Sequence, residues 1–160
     1  MSFNHFDESG QAVMVDISGK KATLRTAIAS ARVKMTPAVL RSVMSGENRK
    51  GDVLGVARLA GINACKRTPE LIPLAHPLAV HFAAIDLECD ENNGQVLVRA
   101  TVKAFERTGV EMEAMVAASL AALAVYDMCK GMDKSISIED VALQYKEGGK
   151  SGVYRRTPVE

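Results

Sequence analysis

A chain of 160 residues carrying 20 Lys plus Arg against 19 Asp plus Glu is close to neutral. That length suits one domain with a real core, and the balance of charge argues against a nucleic-acid or membrane-surface partner. Three cysteines (Cys65, Cys89, Cys129) without a C-x-x-C spacing point to a reduced, cytoplasmic protein. The polar opening MSFNHFDESGQ is no signal peptide. The longest apolar run, about 13 residues, is short of the about 20 needed to span a bilayer.

Residues 1 to about 10 read as a loose leader. Residues 12–17 and 22–35 favour extended structure, with Arg25, Ala27, Ala29, Ala31 and Val33 alternating, although an Ala-rich run also suits a helix. Thr36-Pro37 is a helix start, a capping hydroxyl followed by proline at the first helical position, for a helix ending at Gly46. The polar turn 47–52 carries Arg49 and Lys50. A second helix follows, with Val53, Val56, Ala57, Ala60 and Ala64 at helical spacing, and its small residues Ala57, Ala60, Gly61 and Ala64 invite close packing. Pro69 opens a short helical turn. Pro73 and Pro77 then disfavour the helical region for Ile72 and His76, which displays His76 from a stiff extended loop.

Residues 80–89 and 95–105 read as two strands joined by the turn Asp90-Glu91-Asn92-Asn93-Gly94. Residues 108–132 form the surest helix. Thr108 and Glu111 have the capping-box spacing, Gly131 marks a left-handed stop, and the body is apolar nearly all round, as in a buried helix. Glu111 and Glu113 at its start and Lys130 at its end suit the helix dipole, whereas Asp127 opposes it. Residues 135–146 read as the last strand, before the tail 147–160 with Gly148-Gly149-Lys150-Ser151-Gly152. A hairpin before a long helix implies an α+β fold with a largely antiparallel sheet packed against helices.

Several side chains have two readings. His76 is either a structural hydrogen-bonder or an acid–base group. Lys50 is either surface charge or, with the N–H groups of the helix that follows, a holder of an anion. Asp127 and Lys130 share a helix face, as a weak surface pair or as charges lining a cleft. The tail imitates a phosphate loop, but Gln144 stands where G-x-x-x-x-G-K-[ST] requires glycine, so it is not a P-loop; an arm offering N–H groups and a Lys to an anion remains open. His5, His76 and His81 lack metal-ligand spacing, so no metal is called for. There is no G-x-S-x-G, and Cys65 and Cys129 sit in apolar helical contexts as inert core residues. These residues lead as far as a cytosolic α+β enzyme or binding protein for an anionic small molecule.

KGDVLGVARLAGINACKRTPELIPLAHPL, TGVEMEAMVAASLAALAVYDMCKGMDK and GGKSG closely resemble the MoaC family, the cyclic pyranopterin monophosphate synthases of molybdenum-cofactor biosynthesis. The resemblance spans nearly the whole chain. It implies a ferredoxin-like fold, a homohexamer (a trimer of dimers) with sites between subunits, and conversion of 3′,8-cyclo-7,8-dihydro-GTP to cyclic pyranopterin monophosphate with release of pyrophosphate, a lyase reaction needing no cofactor. It makes Asp127 the catalytic acid/base, with Lys130 and Lys50 in the same site. Leu74, Ala75 and His76 match a substrate-binding loop, Met112 and Glu113 a second substrate-binding segment, and Arg25 and Lys146 cationic substrate contacts. Two positions depart from the family's usual pattern. Ala75 stands where that loop commonly has Cys, and Arg107 where Lys is frequent. A non-catalytic guanine-nucleotide-binding module of the same fold, and a purely structural subunit, are the alternatives. Glu113 and Asp127 lie 14 residues apart, about 21 Å along one helix, so a shared site requires two chains.

Overall fold

The computed structural model describes residues 6–7, 9–46 and 50–157. In chain order the elements are β1 (Thr23–Lys34), α1 (Pro37–Ser45), α2 (Val53–Lys66), α3 (Thr68–Leu71), β2 (Phe82–Asp90), β3 (Gln95–Glu106), α4 (Glu111–Cys129), β4 (Ser137–Glu147) and β5 (Tyr154–Arg155). Alternation decides the sheet: Ala27, Ala29, Ala31 and Val33 of β1 are buried on one face while Ser30, Arg32 and Lys34 occupy the other. Along β3 the same period buries Val96, Val98, Ala100, Val102 and Ala104. β1 pairs antiparallel with both β3 and β4, β2 with β3, and β5 with β4, giving the order β2-β3-β1-β4-β5. A β-α-β-β-α-β chain with its first four strands in that order is the ferredoxin-like arrangement.

The helices cover the small-residue face. α4 lies across β1, β3 and β4, and α2 packs alongside it. Gly61 of α2 lies close against its neighbours: a Cβ there would stand 3.0 Å from the Ala117 carbonyl oxygen and 3.0 Å from Ile85 Cγ1. Gly61→Val is therefore expected to force the helices apart and lower stability by about 1–3 kcal/mol, measured by chemical denaturation.

Local signals hold in part. Thr36 precedes α1 with Pro37 in its first turn, and Gly46 closes it in the left-handed region (φ 71°), but the Thr36 side chain makes no cap hydrogen bond. In the turn 47–52, Arg49 lies outside the described residues. Val56 is exposed rather than packed, because the inner face of α2 runs through Val53, Ala57, Gly61 and Ala64. The expected capping box at Thr108 does not form. α4 starts two residues too late for it, with Val110 at the cap, so Glu111 occupies the first helical position and its carboxylate folds over Gly109. Gly131 is not left-handed either: the helix closes through Lys130 in the right-handed region. Residues 12–17 form no strand beyond an isolated bridge from Ala12 to Phe6. β4 is not the last strand, since the tail turns back to add β5.

By length and mean hydropathy (19 residues, 1.4) α4 is long and apolar enough to cross a membrane, more so than its uninterrupted apolar run implies. Here it is the central helix of the core, with Ala114, Ala117, Ala118, Ala121, Ala122 and Val125 fully buried. The least covered line of α4 runs through the exposed Met112, Leu123 and Lys130, with Met115, Ser119 and Tyr126 half-buried between them.

Candidate active site

The residues singled out from sequence fall into two groups, one at each end of α4. At its C-terminal end, Asp127 in the last turn opposes the helix dipole, and two ammonium groups compensate it. Lys130 Nζ lies 2.6 Å from Asp127 Oδ1. Lys50 Nζ donates to the Asp127 main-chain oxygen at 2.5 Å and reaches Oδ2 at 3.4 Å. The hydrogen bond and charge of Lys130, then the charge of Lys50, hold the Asp127 carboxyl below its ordinary range, and Asp127 in turn raises Lys130. All three side chains are about half exposed, so the cluster faces outward with its charges accessible. At the start of α2 the Asp52 carboxylate accepts from Gly55 N at 2.8 Å, while Lys50 reaches Asp127.

At the N-terminal end of α4 there is a cleft of about 420 Å³. Leu74, Ala75 and His76 form one wall and Met112 and Glu113 another, with Val15, Ile17 and Lys20 closing it. His76 Nε2 lies 2.7 Å from the Val15 carbonyl oxygen. A carbonyl only accepts, so Nε2 carries the proton and Nδ1 is the nitrogen left to exchange one with a ligand. Arg25 and Lys146 lie just beyond the cleft. Lys146 pairs with Glu111 at 3.1 Å, and Arg25 donates to the main-chain oxygens of Glu106 and Arg107 at 3.2 and 3.3 Å.

Glu113 is a buried carboxyl, 3% exposed, and burial together with the neighbouring Glu111 pushes its pKa up to about 7. The folded chain thus keeps a proton that the unfolded chain releases above about 4.5, so this group's contribution to stability falls as pH rises from about 4.5 to about 7. Glu113→Gln is expected to flatten that fall. The check is the melting temperature of both chains across this pH window, with the Glu113→Gln chain gaining on the native one at the alkaline end.

Sequence reasoning missed Val15, Ile17 and Lys20, which reach the cleft from far along the chain. Glu111 is an acid of the first turn as expected, and it also pairs with Lys146, which sequence reasoning did not anticipate. Cys65 is buried, its thiol pushed up to about 12 by burial, and Cys129 is buried and raised for the same reason. Among the described residues no group of three or more metal-ligating side chains comes together.

A family model described as the MoaC family matches residues 14–149. The chain belongs to the MoaC family. It is 69% identical over 156 residues to the cyclic pyranopterin monophosphate synthase of Geotalea uraniireducens, with 98% of each chain covered. It is 68% identical over 156 residues to that of Pelobacter propionicus, again with 98% of each covered. A more distant relative, the enzyme of the same name from Nostoc, is 50% identical over 153 residues, covering 96% of this chain and 91% of the relative. In this MoaC-family chain the segments carrying the resemblance line both groups: the loop of Leu74, Ala75 and His76 and the start of α4 at one end, and the finish of α4 with Lys50 at the other.

Proposed function

We propose that this chain is a cyclic pyranopterin monophosphate synthase, a lyase of molybdenum-cofactor biosynthesis that converts 3′,8-cyclo-7,8-dihydro-GTP to cyclic pyranopterin monophosphate and pyrophosphate. The observation that carries the reading is 69% identity along nearly the whole chain to a synthase of that name. The geometry supports it. Rearranging the bridged purine, closing the pyran ring and forming the cyclic phosphate all require proton transfers near neutral pH. Asp127 and Lys130, 2.6 Å apart, form the acid–base pair of this reading; pairing keeps Asp127 ionised and Lys130 charged, so proton transfer requires the substrate's own charge to draw the pair apart. Lys50 supplies further positive charge where negative charge accumulates on the departing pyrophosphate. The cleft of Leu74, Ala75, His76, Met112 and Glu113 holds the base and sugar. His76 Nδ1 and the partly protonated Glu113 offer polar contacts to ring nitrogens and oxygens, while Arg25 and Lys146 take the phosphates.

The reaction needs both ends of α4, which lie about 21 Å apart in one chain. We therefore assign the complete site to two subunits of a homohexamer built as a trimer of dimers. The least covered line of α4, with Met112 and Leu123 42% and 49% exposed, supports this assembly. A second α4 laid antiparallel along that line covers its apolar side chains and sets the Glu113 end of one chain beside the Asp127 end of the other. Three cysteines that form no disulfide support a cytoplasmic setting. Purified protein given 3′,8-cyclo-7,8-dihydro-GTP without added cofactor is expected to yield cyclic pyranopterin monophosphate and pyrophosphate by mass spectrometry. Binding of the substrate with no product would instead make the chain a guanine-nucleotide-binding module.

A further inference from the structure

The segment that closes the cleft belongs to neither the sheet nor the helices. Residues 13–20 form no strand or helix, and among the described residues no main-chain hydrogen bond ties them to another element. Two side chains hold them instead. His76 Nε2 donates to the Val15 carbonyl oxygen at 2.7 Å, and Arg107 Nη1 donates to the Ser18 carbonyl oxygen at 3.2 Å. Val15 and Ile17, half-buried, line the cleft at this stretch.

Arg107 stands at a junction. Its main-chain oxygen accepts from Arg25 Nη2 at 3.3 Å, and it precedes Thr108 and Gly109, which line the cleft. Its guanidinium meets the segment where the chain is locally stiff. Ser18 N donates to Asp16 Oδ1 at 2.8 Å and Lys20 N to the Ile17 carbonyl at 3.0 Å, so Ser18 and Lys20 share one tight turn. Fixing the Ser18 oxygen therefore fixes the place of Lys20. Among the described residues Lys20 is the one Lys or Arg that lines the cleft, and its ammonium makes no ion pair. The acids nearby do not claim it: Glu111 pairs with Lys146, and Glu113 is partly protonated at neutral pH. An uncommitted ammonium at the wall of a cleft is a strong donor for an anionic ligand held there.

We propose that the 15–20 segment is a strap that brings Lys20 to the cleft as a contact for the anionic substrate, and that Arg107 is the positioning residue that latches it. The nature of that substrate rests on the function proposed above; the strap and its latch rest on their own contacts. Arg107 acts on the substrate through Lys20 and not by touching it.

The test is steady-state kinetics on the full chain in its assembled form, with hydrogen exchange of residues 15–20. Lys20→Met is expected to raise KM about tenfold with kcat within about twofold of native. Arg107→Ala is expected to raise KM about fivefold and to speed amide exchange across the strap, and Arg107→Lys, which keeps a cationic donor, to restore most of both. Arg25 keeps its acceptor in each, since that contact is to the main chain. Because Arg107 works through Lys20, the double variant is expected to match Lys20→Met alone, whereas two independent effects multiply to about fiftyfold. A native KM in Lys20→Met, or a multiplying double variant, overturns the proposal. A native chain that forms no pyranopterin product removes the assigned activity; the strap is then judged by calorimetric titration with GTP, where binding weakened alike in Lys20→Met and the double variant upholds it and binding unchanged in Lys20→Met overturns it.

Discussion

Replacing Asp127 with alanine is expected to lower kcat about 10²–10⁴-fold, the usual contribution of a positioned acid or base, with little change in melting temperature. The stability half of this expectation follows from exposure. The Asp127 side chain is 57% exposed, and exposed ion pairs contribute at most about 1 kcal/mol. Lys50 keeps its partner too, because the 2.5 Å contact is to the main-chain oxygen, which alanine retains. The activity half separates chemistry from architecture through Asp127→Asn. Asparagine still accepts a hydrogen bond from Lys130 but cannot take up a proton, so a merely structural pair predicts recovery and a proton acceptor predicts none. The pH profile adds a third readout. Lys130, then Lys50, keep the native carboxyl below its ordinary value of 3.8, so activity is expected to hold through the mildly acidic range, with no loss of the Asp127 base until pH falls below that value. Lys50→Ala is expected to reduce turnover as well. Unchanged turnover in Asp127→Ala or Lys50→Ala sinks the site assignment.

What could be read in advance follows the range of the physical signal. The β1 alternation, the β2–β3 turn and the Thr36-Pro37 start of α1 are local patterns, and each appears where its period or turn chemistry places it. So does the buried body of α4. The end-of-helix details failed because they compete with tertiary contacts: Glu111 has the spacing of a capping-box partner, but a Lys from β4 binds it at 3.1 Å. The segment that closes the cleft was not legible for a related reason. Val15 meets His76 across 61 positions of chain, and nothing in a short extended stretch announces a partner so distant. β5 is only two residues long, too short to show any period. Asp127 was legible because it breaks a local rule, an acid at a helix C-terminus, and Lys50 and Lys130 explain why the break is tolerated.

The division of the site between the two ends of α4 predicts that two inactive variants will rescue each other. Glu113→Gln, or Lys146→Met from the same end, disables the cleft; Asp127→Asn disables the proton-transfer group. If each site combines the first end of one subunit with the second end of its partner, a mixed dimer holds one site bearing both lesions and one bearing neither. Random pairing of equal amounts makes half of the dimers mixed, so co-expressed variants are expected to recover about a quarter of native activity from two nearly inactive parents. A site contained in one chain predicts no recovery, since every chain carries a lesion. The recovered activity should also depend on assembly: dilution that releases single subunits removes it, and a fully active isolated subunit contradicts the shared site outright. The result bears on the interface as well. Replacing Leu123, 49% exposed at the middle of the least covered line, with glutamate places a charge where two apolar helix faces would meet. Leu123→Glu is therefore expected to lower activity together with oligomer mass while leaving each chain folded, because the side chain contributes little to the core of its own subunit.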